Sequence, residues 1–227
     1  MLYVGLVAGV VAGNVAAHLA GIDAFRTYIA TCILIVPALI GARLLHIALH
    51  WKAYQQTPRR IWSRREGGAA QYGGFALILP ISMPLTWALR LPLGVFWDVA
   101  TFTILVAMIF GRVGCLMNGC CAGRTSESWL SVYLPNHVGV WERRIPVQCL
   151  EAGWAGLLLA SAIVFWHRLP FSGALFLITT AGYASGRLVL ESLREQEPGV
   201  GRFNVYHGFS VALLLLSLAT LTAGWLR

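Results

Sequence analysis

Hydrophobic residues fall into seven runs along the chain, separated by polar segments. A helix that crosses a bilayer takes about 20 mostly apolar residues, and each run comes close to that length. The first run lacks the basic start and the small-residue cleavage site of a secretory signal, so we interpret it as a span. The runs cover roughly residues 2–20, 27–50, 73–89, 97–114, 147–166, 171–190 and 207–226.

This pattern predicts an all-α integral membrane protein with about seven transmembrane helices. Long polar segments follow the second, fourth and sixth runs, and the first two of them are residues 51–72 and 115–146. Alternate connections of such a bundle lie on the same side, so these segments predict a small polar cap on one face. The whole chain, 1–227, is then a single polytopic membrane domain, and 51–72 and 115–146 form its active face.

The composition excludes an ordinary soluble globular protein. The 227 residues are 58% hydrophobic and 11% charged, whereas soluble domains have about 25% charged residues. The formal net charge of +8 comes mainly from arginine, since Lys52 is the single lysine among 17 cations. Arginine is suited to phosphate and carboxylate groups. The cations lie between apolar runs and form no basic arm, so we expect anionic lipid as a partner and no nucleic acid.

The cations are divided unequally between the two faces. Eleven belong to the face that carries the long polar segments, and four belong to the opposite face. The positive-inside rule alone would place the eleven-cation face in the cytoplasm. Arginines that bind a substrate distort this count, so the count by itself leaves the orientation open.

The strongest local signal is GRVGCLMNGCCAGR, residues 111–124, which closes the fourth run. An arginine inside a membrane is costly and usually faces a cavity or a partner. Arg112 is therefore a candidate anion ligand, and a structural ion pair is the alternative. The spacing of Cys115, Cys120 and Cys121 does not match the usual structural zinc patterns. Small buried thiols, a disulfide and soft-metal ligation remain open for this cluster.

Two further motifs place polar side chains where apolar helices enter the same face. In GRLVLESLREQEP, the spacing puts Arg187, Glu191 and Arg194 on one face of a helix. This predicts either a stripe that lines a site or a charge network at a helix end. In ERRIPVQCLEA, Gln148 and Glu151 lie three residues apart and share a face, either for substrate binding or for helix capping.

The order of these motifs resembles the prolipoprotein diacylglyceryl transferase family, which moves diacylglycerol from phosphatidylglycerol onto a lipobox cysteine thiol. EGGAAQYGG resembles the family's Gly-Gly to His-Gly-Gly segment, and GRVGCLMNGCCAG resembles its Gly-Arg-x-Gly-Asn-x-x-Asn-Gly-Glu-x-x-Gly signature. RIPVQCLEA resembles its Arg-x-Pro-x-Gln-x-x-Glu stretch, and GYASGRLVLESLRE resembles its Tyr-x3-Arg-x3-Glu-x2-Arg helix. The resemblance covers roughly residues 43–210.

The resemblance implies a transferase of bacterial lipoprotein biosynthesis that forms a thioether on the lipobox cysteine. Its partners would be phosphatidylglycerol, the prolipoprotein cysteine and membrane lipids, with no organic cofactor and no metal. It assigns catalytic roles to Arg112, Arg187 and Tyr72. It assigns substrate binding to Arg112, Asn118, Gly114, Gly123, Tyr183, Glu191, Arg194 and Gln148. It also implies a multi-pass protein of the inner membrane with an extracytoplasmic active face, and we adopt that orientation over the charge count.

Three positions depart from the family's pattern. Tyr72 stands where the family has a histidine, and an unperturbed tyrosine, with a pKa of about 10, is a poor base. Cys115 and Cys120 replace the first asparagine and the glutamate of the signature. The alternative functions are therefore a divergent paralogue that transfers a lipid moiety to another acceptor, or a non-catalytic membrane protein that binds anionic lipid.

Overall fold

The computed structural model describes residues 1–55, 70–136, 138–195 and 205–225 of the chain. Within these residues, seven long helices, one short helix and a two-stranded sheet form the fold. In chain order they are α1 (Leu2–Leu19), α2 (Ala24–Leu49), α3 (Trp51–Gln55), α4 (Gln71–Ala88), α5 (Leu93–Met117), β1 (Val132–Pro135), β2 (Trp141–Arg144), α6 (Val147–Phe165), α7 (Ala174–Glu191) and α8 (Val205–Trp225).

The seven long helices confirm the helical fold predicted from the seven apolar runs, and their ends shift by only a few residues. Four of them are long and apolar enough to cross a membrane: α2, α5, α6 with the 3-10 turn that follows it, and α8. α1 contributes a shorter apolar helix, Tyr3–Leu19. α7 is less apolar because it buries polar side chains, among them Thr179, Arg187 and Glu191.

The polar cap differs from the loop that the sequence pattern predicts over 115–146. β1 and β2 pair as an antiparallel hairpin inside that segment. Asn136 closes the turn, because its side-chain oxygen accepts from the backbone N–H groups of Val138 and Val140, both at 3.0 Å. Strands of four residues are too short to give a periodic signal, which is why the pattern missed them. Of the other predicted loop, 51–72, residues 56–69 lie outside the described part of the chain.

Glycines allow two pairs of helices to approach closely. α1 packs on α5, and a Cβ on Gly9 would lie 2.6 Å from the carbonyl oxygen of Thr103. α2 meets α4 where Gly41 and Gly73 face each other, and a Cβ on either would collide with the carbonyl oxygen of the other. Small residues are favoured at such contacts because helices in a lipid environment associate through close van der Waals packing.

A buried carboxylate fixes α7 against α5. Asp98, in the second turn of α5, accepts hydrogen bonds from the backbone N–H groups of Gly173 at 2.6 Å and Phe176 at 3.1 Å. These donors belong to the first turn of α7, where backbone N–H groups have no partner within the helix. The bonds set the position of α7, the helix that carries Tyr183, Arg187 and Glu191.

The polar motifs meet at one end of the bundle. α5 and α7 end there, and α4, α6 and α8 begin there. Met1 lies at the same end, because a Cβ on Gly114, in the last turn of α5, would be 3.0 Å from the Cβ of Met1. The hairpin β1–β2 follows α5 and leads directly into α6, so the cap covers this end of the bundle.

Candidate active site

Glu151 lies at the centre of a cluster of buried charges at this end of the bundle. Its Oε2 is 3.0 Å from Arg112 Nε, and its Oε1 pairs with Arg187 Nη1. Arg194 Nη2 donates to both carboxylate oxygens at 3.1 Å. One carboxylate of α6 therefore holds three guanidinium groups that come from α5, from α7 and from the segment after α7.

Glu191 extends the cluster on the α7 side. Its Oε2 lies 2.7 Å from Arg187 Nη2 and 3.6 Å from Arg194 Nη1. The predicted stripe of Arg187, Glu191 and Arg194 is thus a connected set of ion pairs, and it reaches Glu151 as well. Among the described residues, the cluster contains three guanidinium groups and two carboxylates, so it carries one positive charge in excess.

Two guanidinium groups keep a buried donor without a partner. Neither Arg187 Nε nor Arg194 Nε has a hydrogen-bond acceptor among the described residues. A buried N–H group that lacks an acceptor is costly, and an anion that supplied oxygen atoms would remove that cost. The excess charge and these free donors both suit the cluster to an anionic group.

Gln71 connects the cluster to Tyr183. Its Oε1 accepts a hydrogen bond from Tyr183 Oη at 2.9 Å and lies 3.5 Å from Arg112 Nη2. Gln71 is the first residue of α4 and directly precedes Tyr72. Sequence reasoning left Gln71 out of the candidate site and noted Glu151 only as a neighbour of Gln148 on one helix face. The RIPVQCLEA motif was the signal for Glu151, and the signal for Gln71 was its place directly before Tyr72 in EGGAAQYGG.

Among the described residues, the hydroxyl of Tyr72 forms its hydrogen bond with Ser210 of α8 and not with a guanidinium group. It is 2.5 Å from Ser210 Oγ, and its ring stacks on Phe209 with 5.5 Å between centroids. Ser210 donates its own proton to the carbonyl oxygen of Tyr206 at 2.9 Å. Since a serine hydroxyl has one proton, Tyr72 must be the donor to Ser210. The Tyr72 oxygen consequently remains able to accept a hydrogen bond.

The cap holds Arg194 in place through backbone bonds. Gly123 and Arg194 form an antiparallel bridge, flanked by hydrogen bonds from Arg124 N to Leu193 O and from Glu195 N to Ala122 O, both 3.0 Å. A Cβ on Gly123 would collide with the carbonyl oxygen of Ile145, so only glycine fits this approach. The predicted residue Gly123 therefore positions backbone, and Gln148 supports the same loop by donating to Cys120 O at 2.9 Å.

Asn118 and Gly114 lie further from the ion cluster. Asn118 caps the C-terminus of α5 and is exposed to solvent. Its backbone N–H donates to Gly114 O at 3.1 Å, and Gly114 packs against Met1. In the described part of the chain, no hydrogen bond or ion pair joins either residue to Arg112, Arg187 or Arg194.

The three cysteines of the signature segment converge beside the arginines. The thiol sulfurs of Cys115, Cys120 and Cys121 all lie within 4.8 Å of one another. Hydrogen bonds from the Cys115 and Cys120 thiols, followed by the charges of Arg194 and Arg112, lower the pKa of the Cys121 thiol well below its ordinary value. The bonds that Cys120 shares with the same two thiols raise the pKa of Cys120.

An apolar pocket adjoins the ion cluster between α4, α5, α7 and α8. Tyr183 belongs to both, because its ring lines the pocket while its hydroxyl donates to Gln71. The remaining lining is mostly aliphatic and aromatic. The lining residues are Phe75, Thr101, Ile104, Leu105, Met108, Phe176, Thr179, Thr180, Tyr183 and Leu213.

These features define a helical membrane protein with a buried cluster of arginines and carboxylates beside an apolar pocket. Comparison with known proteins gives the particular family, since the model of the prolipoprotein diacylglyceryl transferase family matches residues 1–223. The chain belongs to this family of transferases, as its motifs predicted.

Three curated relatives are each named phosphatidylglycerol–prolipoprotein diacylglyceryl transferase. The protein of Dehalococcoides mccartyi is 29% identical over 205 residues, 86% of this chain and 75% of the relative. The protein of Streptococcus pyogenes is 31% identical over 200 residues, 84% of this chain and 75% of the relative. The protein of Bacillus cereus is 29% identical over 209 residues, 85% of this chain and 74% of the relative.

Proposed function

We propose that this protein transfers the diacylglyceryl group of phosphatidylglycerol to the lipobox cysteine of a prolipoprotein. The names of the curated relatives support this substrate pair. The single observation that carries the proposal is the sharing of Glu151 by Arg112, Arg187 and Arg194. This arrangement gathers three guanidinium groups with excess positive charge at one buried place, where a lipid phosphate can bind.

The reaction needs this charge at the leaving group. The cysteine thiolate attacks the terminal glyceryl carbon of the diacylglyceryl group, and a carbon–sulfur bond forms. The bond from that carbon to the phosphate ester oxygen breaks, and glycerol phosphate leaves with the electron pair. Guanidinium groups in a water-poor site stabilise the charge that develops on the leaving oxygen.

We assign the phosphate to Arg112 and Arg187, and we assign headgroup steering to Arg194. Among the described residues, Arg187 Nε has no acceptor and is the donor that a phosphate oxygen would meet, and Arg194 Nε is likewise open to a polar atom of the headgroup. Glu191 and Glu151 hold the guanidinium groups in position and do not serve as bases, because each is already paired with arginine.

The remaining candidate residues orient the lipid or shape the site. Tyr72 would accept a hydrogen bond from a hydroxyl of the headgroup glycerol, since its own proton is donated to Ser210. Tyr183, which lines the apolar pocket, would also accept a hydrogen bond from the headgroup, since its own proton is donated to Gln71. We assign Gln148 and Gly123 to the support of the cap loop, and Asn118 and Gly114 to the rim of the site, where Asn118 is exposed.

We further propose that all seven long helices span a bacterial inner membrane and form one polytopic domain over 1–227. Segments 51–72 and 115–146 would lie on the active, extracytoplasmic face. A Val138→Cys variant tests the orientation, because Val138 is 71% exposed in the cap. A membrane-impermeant thiol reagent should label it in intact spheroplasts. Labelling only after permeabilisation would place the cap in the cytoplasm.

The transfer itself is tested with purified protein, phosphatidylglycerol labelled in an acyl chain, and a lipobox peptide. Arg112→Ala should abolish transfer. Arg26→Ala is the matched control, since Arg26 forms an exposed pair with Asp23 at the opposite end of the bundle. Wild-type transfer by Arg112→Ala would contradict the proposal.

A second candidate function is transfer of a lipid moiety to another acceptor, or lipid binding without turnover. The observation that favours it is the position of Tyr72, whose hydroxyl bonds Ser210 where the family has a histidine. Binding of phosphatidylglycerol by the wild-type protein without transfer to the peptide would support this candidate.

A further inference from the structure

The signature segment forms a tight turn that the proposed transfer does not explain. After α5 ends at Met117, Gly119 and Cys121 both adopt left-handed backbone conformations, with φ of +65° and +57°. Such a conformation is uncommon for a residue other than glycine, asparagine or aspartate. It turns the chain back so that Cys120 N donates to Cys115 O at 3.1 Å. The thiols of Cys120 and Cys121 are thereby brought to the thiol of Cys115.

The turn is held from outside as well as from within. Gln148, buried at the start of α6, donates to the carbonyl oxygen of Cys120 at 2.9 Å. Glu195 N donates to Ala122 O at 3.0 Å directly after the cysteine pair. Cys120 and Cys121 thus belong to a supported loop between α5, α6 and the segment after α7, and Cys115 belongs to the last turn of α5.

The thiol separations suit one metal ion. A thiophilic d10 ion binds thiolate sulfur at about 2.3 Å, so three ligands arranged around it lie about 4 Å apart. The three sulfurs already lie within 4.8 Å of one another. Side-chain rotations that shorten the sulfur–sulfur distances by less than about 1 Å would bring the three thiols to that spacing.

The positive charges of nearby arginines favour a metal ion bound to three thiolates. Three thiolates around a divalent ion carry a net charge of −1. Arg112 lies three residues before Cys115, and Arg194 is bridged to Gly123, two residues after Cys121. The ion cluster to which both arginines belong has one positive charge in excess among the described residues. The guanidinium groups would lower the electrostatic cost of a metal–thiolate group of charge −1 beside them.

We propose that Cys115, Cys120 and Cys121 form a binding site for one thiophilic d10 metal ion, with Zn2+ as the probe. Binding forms three metal–sulfur bonds to thiolate sulfur, each thiol that is still protonated releases its proton to solvent, and no oxidation state changes. The fourth position of the ion is open to water, as in zinc sites with three protein ligands. A disulfide would use only two of the three thiols, so the convergence of all three favours a metal.

Two measurements on the full-length, reduced protein in detergent test the site. In the first, Cd2+ replaces Zn2+ as a spectroscopic probe, and thiolate-to-cadmium absorption in the ultraviolet is followed during titration. The absorption should saturate at one ion per chain and should be reversed by Zn2+. Cys120→Ser and Cys121→Ser should each reduce it strongly, whereas Cys149→Ser should leave it unchanged.

The second measurement uses the unaltered chain and is therefore independent of how the variants fold. Alkylation of each cysteine is timed by peptide mass spectrometry with and without Zn2+. At a free Zn2+ concentration of ten times Kd, alkylation of the three cysteines should slow about tenfold, because about one molecule in eleven has free thiols. Cys149 is exposed and should react at the same rate in both cases.

Several results would overturn the proposal. These are equal alkylation of all cysteines with and without Zn2+, cadmium absorption that does not saturate at one ion per chain, and loss of the absorption in Cys149→Ser. A protein that binds no Cd2+ when reduced, and that loses two free thiols on oxidation, would indicate a disulfide pair instead.

Discussion

Replacement of Glu151 by glutamine tests the ion cluster most sharply. The change keeps the shape of the side chain and removes the charge that Arg112, Arg187 and Arg194 share. The Glu151 side chain is 4% exposed, so solvent screens these pairs little. Loss of one partner from a buried ion pair costs about 3–5 kcal/mol of unfolding free energy. For a chain of this size, that lowers Tm by about 6–20 °C.

Glu142→Gln provides the control for this experiment. Glu142 also pairs with an arginine, Arg144, but the Glu142 side chain is 45% exposed, and the buried Arg144 keeps its second partner, Glu195, at 2.8 Å. Because Glu142→Gln removes an exposed charge and leaves Arg144 paired, it should cost about 0–1 kcal/mol, so Tm should fall by no more than about 4 °C. Thermal unfolding followed by circular dichroism in one detergent gives both midpoints. Equal midpoints for the two variants would refute the idea that Glu151 holds the cluster together.

The same pair of variants separates stability from activity. Without the Glu151 charge, the guanidinium groups lose their shared position, and misplacement by about 1 Å lowers a rate about 100-fold. Glu151→Gln should therefore reduce diacylglyceryl transfer about 100-fold at a temperature where it is still folded, and Glu142→Gln should not. Wild-type transfer by folded Glu151→Gln would show that the cluster has no role in the reaction.

Three further predictions follow from other contacts. Asp98→Asn should lower the unfolding free energy by about 1–3 kcal/mol, because the α7 N–H groups lose a charged acceptor; an unchanged denaturation midpoint would contradict this. Arg112→Lys should bind phosphatidylglycerol vesicles but transfer about tenfold or more slowly, since lysine lacks the planar fork of donors; equal turnover in the transfer assay would argue against a phosphate role. Tyr72→Phe should raise KM for phosphatidylglycerol more than it lowers kcat, and an effect on kcat alone in steady-state kinetics would assign Tyr72 to the chemical step instead.

The helices could be predicted from the sequence because each apolar run has the length of a membrane-spanning helix. The hairpin β1–β2 could not, because its strands have four residues each and its turn depends on the Asn136 side chain. Local signals were strongest where several polar residues share one short motif, as in the segments around Arg112 and Arg187.

The central position of Glu151 was harder to predict than the arginines that surround it. The spacing of Arg187, Glu191 and Arg194 indicated one helical face, but nothing in one helix shows that Glu151 of α6 faces the same point. The thiols illustrate the same limit. Their spacing matches no common zinc pattern, yet two left-handed residues in one turn bring the sulfurs together. Both the ion cluster and the thiol cluster depend on how separate segments of the chain fold together. Sequence spacing indicates only which residues share a face within one helix or strand.

The most direct test of the central claim is to follow both halves of phosphatidylglycerol in a single reaction. The donor carries one isotope in the diacylglyceryl group and another in the headgroup glycerol, and the purified protein receives it together with a lipobox peptide. We predict that the first isotope appears on the peptide cysteine and the second in free glycerol phosphate, in equal amounts. Headgroup label on the peptide, or no labelled peptide although the lipid binds, would contradict diacylglyceryl transfer by this protein.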